Sequence, residues 1–145
     1  MKKLLAIVIS LSILLLLGLF GCGAKTRVVF PFAASDVAKI EAIYKDEGSQ
    51  AKKKTLIGEV EIESLYNSFS ELSVTEKDSA QSDALGTILF AFYLTDGTVY
   101  EVNYLSFATK SGRLQSENAG FDYFTSGDLI GLWENLSGEI ELVSP

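Results

Sequence analysis

The chain has 145 residues, 48% of them hydrophobic, with 12 Lys and Arg against 19 Asp and Glu, a net charge of −7, no histidine and a single cysteine. Without histidine there is no imidazole base, no Ser-His-Asp or Cys-His arrangement and no histidine metal ligand. One cysteine allows no intramolecular disulfide and no thiolate zinc site, and the length fits one ordinary domain.

At the N-terminus, Lys2 and Lys3 precede an apolar run from Leu4 to Phe20 that only Ser10, Ser12 and Gly18 interrupt. A short basic region, an apolar one and then small residues have the form of a secretory signal peptide. At 17 residues the run also reaches the lower edge of a membrane-spanning helix. Length alone leaves a cleaved signal and a retained helix both open. The small residues Gly21 and Gly23 also suit an ordinary signal peptidase. "LFGC", residues 19–22, resembles the lipobox of bacterial prolipoproteins: Leu19, Gly21 and Cys22 match it, and Phe20 is bulkier than the usual occupant. The resemblance covers residues 1–22. It implies that a diacylglyceryl group joins the Cys22 thiol, that cleavage follows Gly21, and that the new amino terminus becomes open to a further acyl chain, with palmitate as the label expected to mark the lipid. Burying acyl carbons contributes about 0.8 kcal/mol per CH₂, so one chain holds marginally and two or three hold durably.

The organisation expected on this reading is a signal peptide over 1–21, a lipidated N-terminus and short tether over 22–27, and one domain over 28–145. The protein would then be lipid-anchored on the extracytoplasmic face of the cell membrane. Without Lys2 and Lys3, ten basic residues face nineteen acidic ones, a net charge of −9. That balance disfavours nucleic acid as a partner and predicts repulsion of the domain as a whole from anionic lipid surfaces. Between Cys22 and the apolar "VVFPF" lie only Gly23 to Arg27, about 18 Å at full extension.

The domain begins with a strand expected at Val28–Phe32, followed by others near Lys39–Tyr44 and Lys54–Ile57. Lys52, Lys53 and Lys54 read as a solvated strand edge or turn. In "EVEIESLYNSFSEL" the residues Ile62, Leu65, Tyr66, Phe69 and Leu72 recur at helical spacing, and Glu59, Glu61 and Glu63 suit the positive end of the helix dipole. "KDSAQSDA", residues 77–84, reads as an exposed loop. "TILFAFYLTDGTVYEVNYLSF" is a hairpin. A three-residue loop, Thr95-Asp96-Gly97, would pair Phe92 with Tyr100, Phe90 with Val102 and Ile88 with Tyr104. That register keeps one face apolar, whereas a two-residue loop would bury Glu101 and Asn103. Strands follow near Arg113–Ser116 and at Phe121–Phe124. "TSGDLIGLWENLSG", residues 125–138, predicts a second helix on the stripe Leu129, Leu132, Trp133 and Leu136, capped by Thr125 or Ser126 and ended by Gly138. The expected fold class is α+β, an antiparallel sheet with two amphipathic helices packed on one face. This order of segments resembles that of small uncharacterised lipoproteins of Gram-positive bacteria, a likeness that implies no activity.

No phosphate-binding glycine loop and no calcium loop is present, and no cofactor or metal is expected. Asp122 and Asp128 flank "DYFTSGD", and a carboxylate pair is all that glycan hydrolysis requires. The simpler reading turns Asp122 outward between Phe121 and Tyr123 and places Asp128 in the first turn of a helix. Among the aromatics, Tyr100 and Tyr104 face inward in the chosen register, which leaves Tyr93, Phe107 and Tyr123 as a candidate partner surface. The function expected is that of a membrane-anchored surface lipoprotein acting as a non-enzymatic binding or accessory module, with a protein partner in the envelope. The alternatives are a carboxylate-dependent envelope hydrolase, or an inhibitor or sensory partner of another envelope protein.

Overall fold

The computed structural model describes residues 26–76 and 83–143. Cys22 and residues 77–82 of the expected loop lie outside the described residues. A 3-10 turn at Ala34–Asp36 leads into β1 (Val37–Asp46), β2 (Lys52–Leu56), α1 (Glu59–Glu71), β3 (Val74–Thr75), β4 (Gly86–Leu94), β5 (Val99–Ala108), β6 (Ser111–Ser116), β7 (Phe121–Thr125), α2 (Leu129–Glu134) and β8 (Glu141–Leu142). The strands form one antiparallel sheet in the order β3-β7-β6-β5-β4-β1-β2-β8.

This architecture overturns the α+β expectation of two helices packed on a sheet. The described residues form mostly a single eight-stranded antiparallel sheet, and among them only α1, with 13 residues, is a helix of substantial length. The segment from Thr125 to Gly138 yields just six helical residues. Its start is set by Asp128, whose Oδ1 accepts from the Gly131 amide at 2.8 Å, and Thr125 and Ser126 do not cap it. Thr125 instead sits in β7 and donates to the Ser73 carbonyl. The end is set from β2: the Lys54 ammonium takes the carbonyls of Trp133, Glu134 and Leu136 at 3.2, 2.9 and 2.8 Å. These are carbonyls that a longer helix would have kept for itself. Gly138 then passes so close to β2 that a Cβ there would lie 2.9 Å from the Thr55 carbonyl oxygen, and the chain runs on as β8 beside Lys52 and Lys53.

The central hairpin has the register that the loop argument requires. Ile88 pairs with Tyr104, Phe90 with Val102 and Phe92 with Tyr100, and the Leu94 amide donates to the Thr98 carbonyl at 2.8 Å. Gly97 has φ +89°, a backbone conformation that glycine adopts without the steric cost of a Cβ. The expected strand at Val28–Phe32 is corrected. Thr26 makes one bridge to Val74, after which the chain leaves the ladder and crosses the covered face of the sheet. Val28, Phe30 and Phe32 are buried there. Phe30 packs against Phe69 of α1 at 5.7 Å and Phe92 of β4 at 5.1 Å between ring centres. The Tyr66 hydroxyl locks the segment by donating to the Phe32 carbonyl at 2.7 Å. Alternation was real here, but helix and sheet supply its partners.

The core joins Ile62, Leu65 and Phe69 of α1 to the inward residues Ile40, Ala42, Phe90, Phe92, Val102, Tyr104 and Leu114 of the sheet, with Trp133 at one end. Each large side chain so buried contributes about 1.5–3 kcal/mol. Tyr104 lies across Gly112, where any Cβ would collide with the phenol ring and stand 2.6 Å from the Leu105 carbonyl oxygen. Lys54 is also corrected: it is 5% exposed, so the lysine run is a solvated edge only at Lys52 and Lys53. Among the described residues, no helix is long and apolar enough to cross a membrane.

Candidate interaction face

Strand alternation sends one set of side chains into the core and the other onto the opposite face of the sheet, which neither helix covers. Along the middle of this open face run Ile43, Leu89, Ala91, Leu105 and Phe124, from neighbouring strands. Ion pairs surround that apolar strip. Lys39 bonds Glu41 at 2.9 Å and lies 4.2 Å from the centre of the Tyr93 ring, and the Tyr93 hydroxyl donates to Glu41 at 2.9 Å. Arg113 grips Asp122 with two parallel bonds, Nε to Oδ1 at 2.7 Å and Nη2 to Oδ2 at 2.6 Å, and Gln115 adds a third donor at 3.1 Å. Lys53 meets Glu141 at 3.1 Å.

These contacts set the charge states. The Lys39 ammonium chiefly holds the Glu41 carboxyl below its ordinary range, with Tyr93 helping. Arg113 does the same for Asp122, reinforced by Gln115. The bond to Glu41 pushes the Tyr93 phenol up. Both carboxylates therefore stay ionised and act as acceptors, and a general acid needs the opposite tuning. Half-exposed pairs of this kind contribute about 0–1 kcal/mol each to stability, so they shape the surface more than they hold the fold.

A polar recess of about 320 Å³, lined by Glu101, Asn103, Gln115, Glu117 and Asn118, adjoins the face. Asn118 builds its wall. Its amide donates to the Val99 carbonyl at 2.6 Å and its oxygen accepts from the Glu101 amide at 3.4 Å, extending the β5 ladder beyond the reach of β6. A larger groove, about 680 Å³, lies elsewhere, between the 3-10 turn and the start of α1.

The residues singled out from sequence separate. Tyr93 is on the open face, tied to Glu41 and Lys39. Phe107 is half-buried at the irregularity where the β5–β6 register shifts between Ser106 and Ala108. Tyr123 turns to the covered side, stacked on Phe121 at 5.4 Å and packed against the core. The two aspartates occupy different recesses: Asp122 lies beside Gln115 and Glu117, and Asp128 beside Tyr44, Ser106 and Glu134. Among the described residues no cluster of three or more Asp, Glu or Cys is arranged to hold a metal. Cys22, the lipidation candidate, lies outside the described residues.

Sequence reasoning missed Arg113, Gln115 and Asn118. The alternation of "RLQS" against "FDYF" held a signal for the first two, since it sets Gln115 opposite Asp122. Asn118 works through a turn and gives no periodic signal. Comparison with known protein families, curated proteins and solved structures returns no match.

Proposed function

We propose that the chain is a membrane-anchored lipoprotein of the extracytoplasmic face, lipidated on Cys22, and that its sheet domain is a non-enzymatic binding or accessory module working at the membrane surface. The observation that carries this reading is the junction of the two parts. The lipobox-like "LFGC" ends four residues before Thr26, where the chain is already bridged to Val74. Such an arrangement suits a domain that works at its anchor. The open sheet face, with its apolar strip and committed carboxylates, is the surface offered for interaction.

The test is metabolic labelling with palmitate. The natural chain takes up label and stays with the membrane fraction, and Cys22→Ala loses both. Label and attachment that survive Cys22→Ala would refute the anchor. Release of reducing ends from envelope glycan by the purified protein would refute the non-enzymatic reading in favour of a carboxylate hydrolase.

A further inference from the structure

We infer that the partner of the open sheet face is the bilayer surface itself: the anchored domain lies with this face toward anionic phospholipid and with α1 turned away. The inference rests on the lipid anchor at Cys22 and adds the orientation. Two independent observations support it.

The first is the leash. From Cys22 to Thr26 there are four residue steps, about 14 Å at full extension. Beyond Thr26 no slack remains, because its carbonyl accepts from the Val74 amide, Val28 is 2% exposed, and Phe30 and Phe32 are wedged between α1 and the sheet. Val74 belongs to β3, the outermost strand on that side. A tether of this length keeps one edge of the sheet near the lipid, and the surface of the domain then decides how the sheet lies.

The second observation is the division of charge over that surface. Among the strand residues of the open face Lys39, Lys45, Lys53 and Arg113 balance Glu41, Glu101, Asp122 and Glu141, and Glu117, in the recess that adjoins the face, adds one acidic group. Three of these pairs are bonded to each other. Most of the acidic excess of the described chain therefore lies off this face. Much of it lies on the opposite side, where α1 carries Glu59, Glu61, Glu63 and Glu71 and no basic residue. Anionic headgroups repel acidic side chains within a Debye length, about 8 Å at physiological ionic strength. Turning the nearly neutral face down places the thickness of the sheet and core between those glutamates and the lipid. The apolar strip of Ile43, Leu89 and Leu105 then meets the interface.

Because the anchor consumes the only natural thiol, any introduced cysteine is uniquely addressable. Thr87→Cys and Asn103→Cys report on the open face, and Ser64→Cys and Ser68→Cys on the outer side of α1. Each full-length lipidated variant is labelled with pyrene and reconstituted into phosphatidylglycerol–phosphatidylcholine vesicles carrying a spin-labelled lipid quencher. Fluorescence should be lost at Thr87 and Asn103 and retained at Ser64 and Ser68. Inserting about twelve Gly/Ser residues between Lys25 and Thr26 adds roughly 20 Å of reach and should restore the fluorescence at Thr87 and Asn103. Equal quenching on both sides, or stronger quenching on α1, overturns the orientation. Pyrene excimer emission from the open-face labels would also overturn it by assigning the face to a second copy of the chain. Palmitate labelling of the same samples separates the two levels: an unacylated chain refutes the anchor, and an acylated, vesicle-bound chain with the wrong quenching pattern refutes the orientation alone.

Discussion

Lys54 and Trp133, 79 positions apart, form a single joint: the lysine ammonium sits 4.8 Å from the centre of the indole ring and donates to the carbonyl of the same tryptophan at 3.2 Å. The indole N–H in turn donates to the Ala42 carbonyl on β1 at 3.0 Å. One buried cation thus ties the end of α2 to two adjacent strands, where the negative end of a helix favours positive charge.

Lys54→Met keeps most of the side-chain volume and removes the donor, leaving three carbonyls without their partner. Hydrogen bonds to a charged group contribute about 1.5–3 kcal/mol, and some carbonyls will recover water. The variant should lose about 2 kcal/mol, read as a lower urea midpoint with an unchanged slope. A midpoint equal to that of the natural chain would show that the joint contributes nothing.

Gly112→Ala forces a methyl group into the ring of Tyr104 and against the Leu105 carbonyl. Overpacking of this kind costs about 1–3 kcal/mol. The double variant Gly112→Ala with Tyr104→Leu removes the collision and should be less destabilised than the two single changes added together. Strict additivity would mean that ring and glycine do not interact.

Phe69→Ala removes a fully buried ring that touches Phe30, Phe90 and Phe92. The expected cost is about 3–5 kcal/mol, seen as a large fall in the thermal midpoint. A much smaller loss would mean that α1 does not lie over the sheet as described.

The acid limb of stability has a defined sign. Glu41 and Asp122 are held below their ordinary values of 4.5 and 3.8. A depressed carboxyl pKa adds stability that is complete above the unfolded value and disappears as pH falls through the folded one. Both pairs sit at the surface, Asp122 about half-exposed and Glu41 less so, so each contributes only about 0.5 kcal/mol. Asp122→Asn should therefore be slightly less stable than the natural chain at neutral pH. It should match the natural chain at a pH below the folded value of Asp122. A constant difference across that range would contradict the pairing with Arg113.

Different parts of this fold were legible in the sequence to different degrees, for physical reasons. The central hairpin could be read in register because Asp96-Gly97 marks a turn and only one loop length keeps Phe90 and Phe92 opposite apolar partners. Helix α1 was legible through Ile62, Leu65 and Phe69, which repeat at helical spacing and all find the core. The second helix was over-read because Leu129, Trp133 and Leu136 share that spacing while Lys54, remote in sequence, ends the helix early. Strands β3 and β8 have two residues each, too short for any period, and exist because neighbours hold them. On the open face, Tyr93 was found because its partner across the turn fixed its direction. Tyr123 belongs instead with the core, as strand alternation from the outward Asp122 beside it requires.

On the proposed anchor, Cys22 is the lipid-bearing first residue of the mature chain, and the short leash behind it holds the domain at the membrane. Intact mass measurement of the chain extracted from its native membrane tests this most directly. The expected mass is that of residues 22–145 increased by a diacylglyceryl group, with or without one further acyl chain. An unmodified mass, or a chain that begins at a residue other than Cys22, would contradict it.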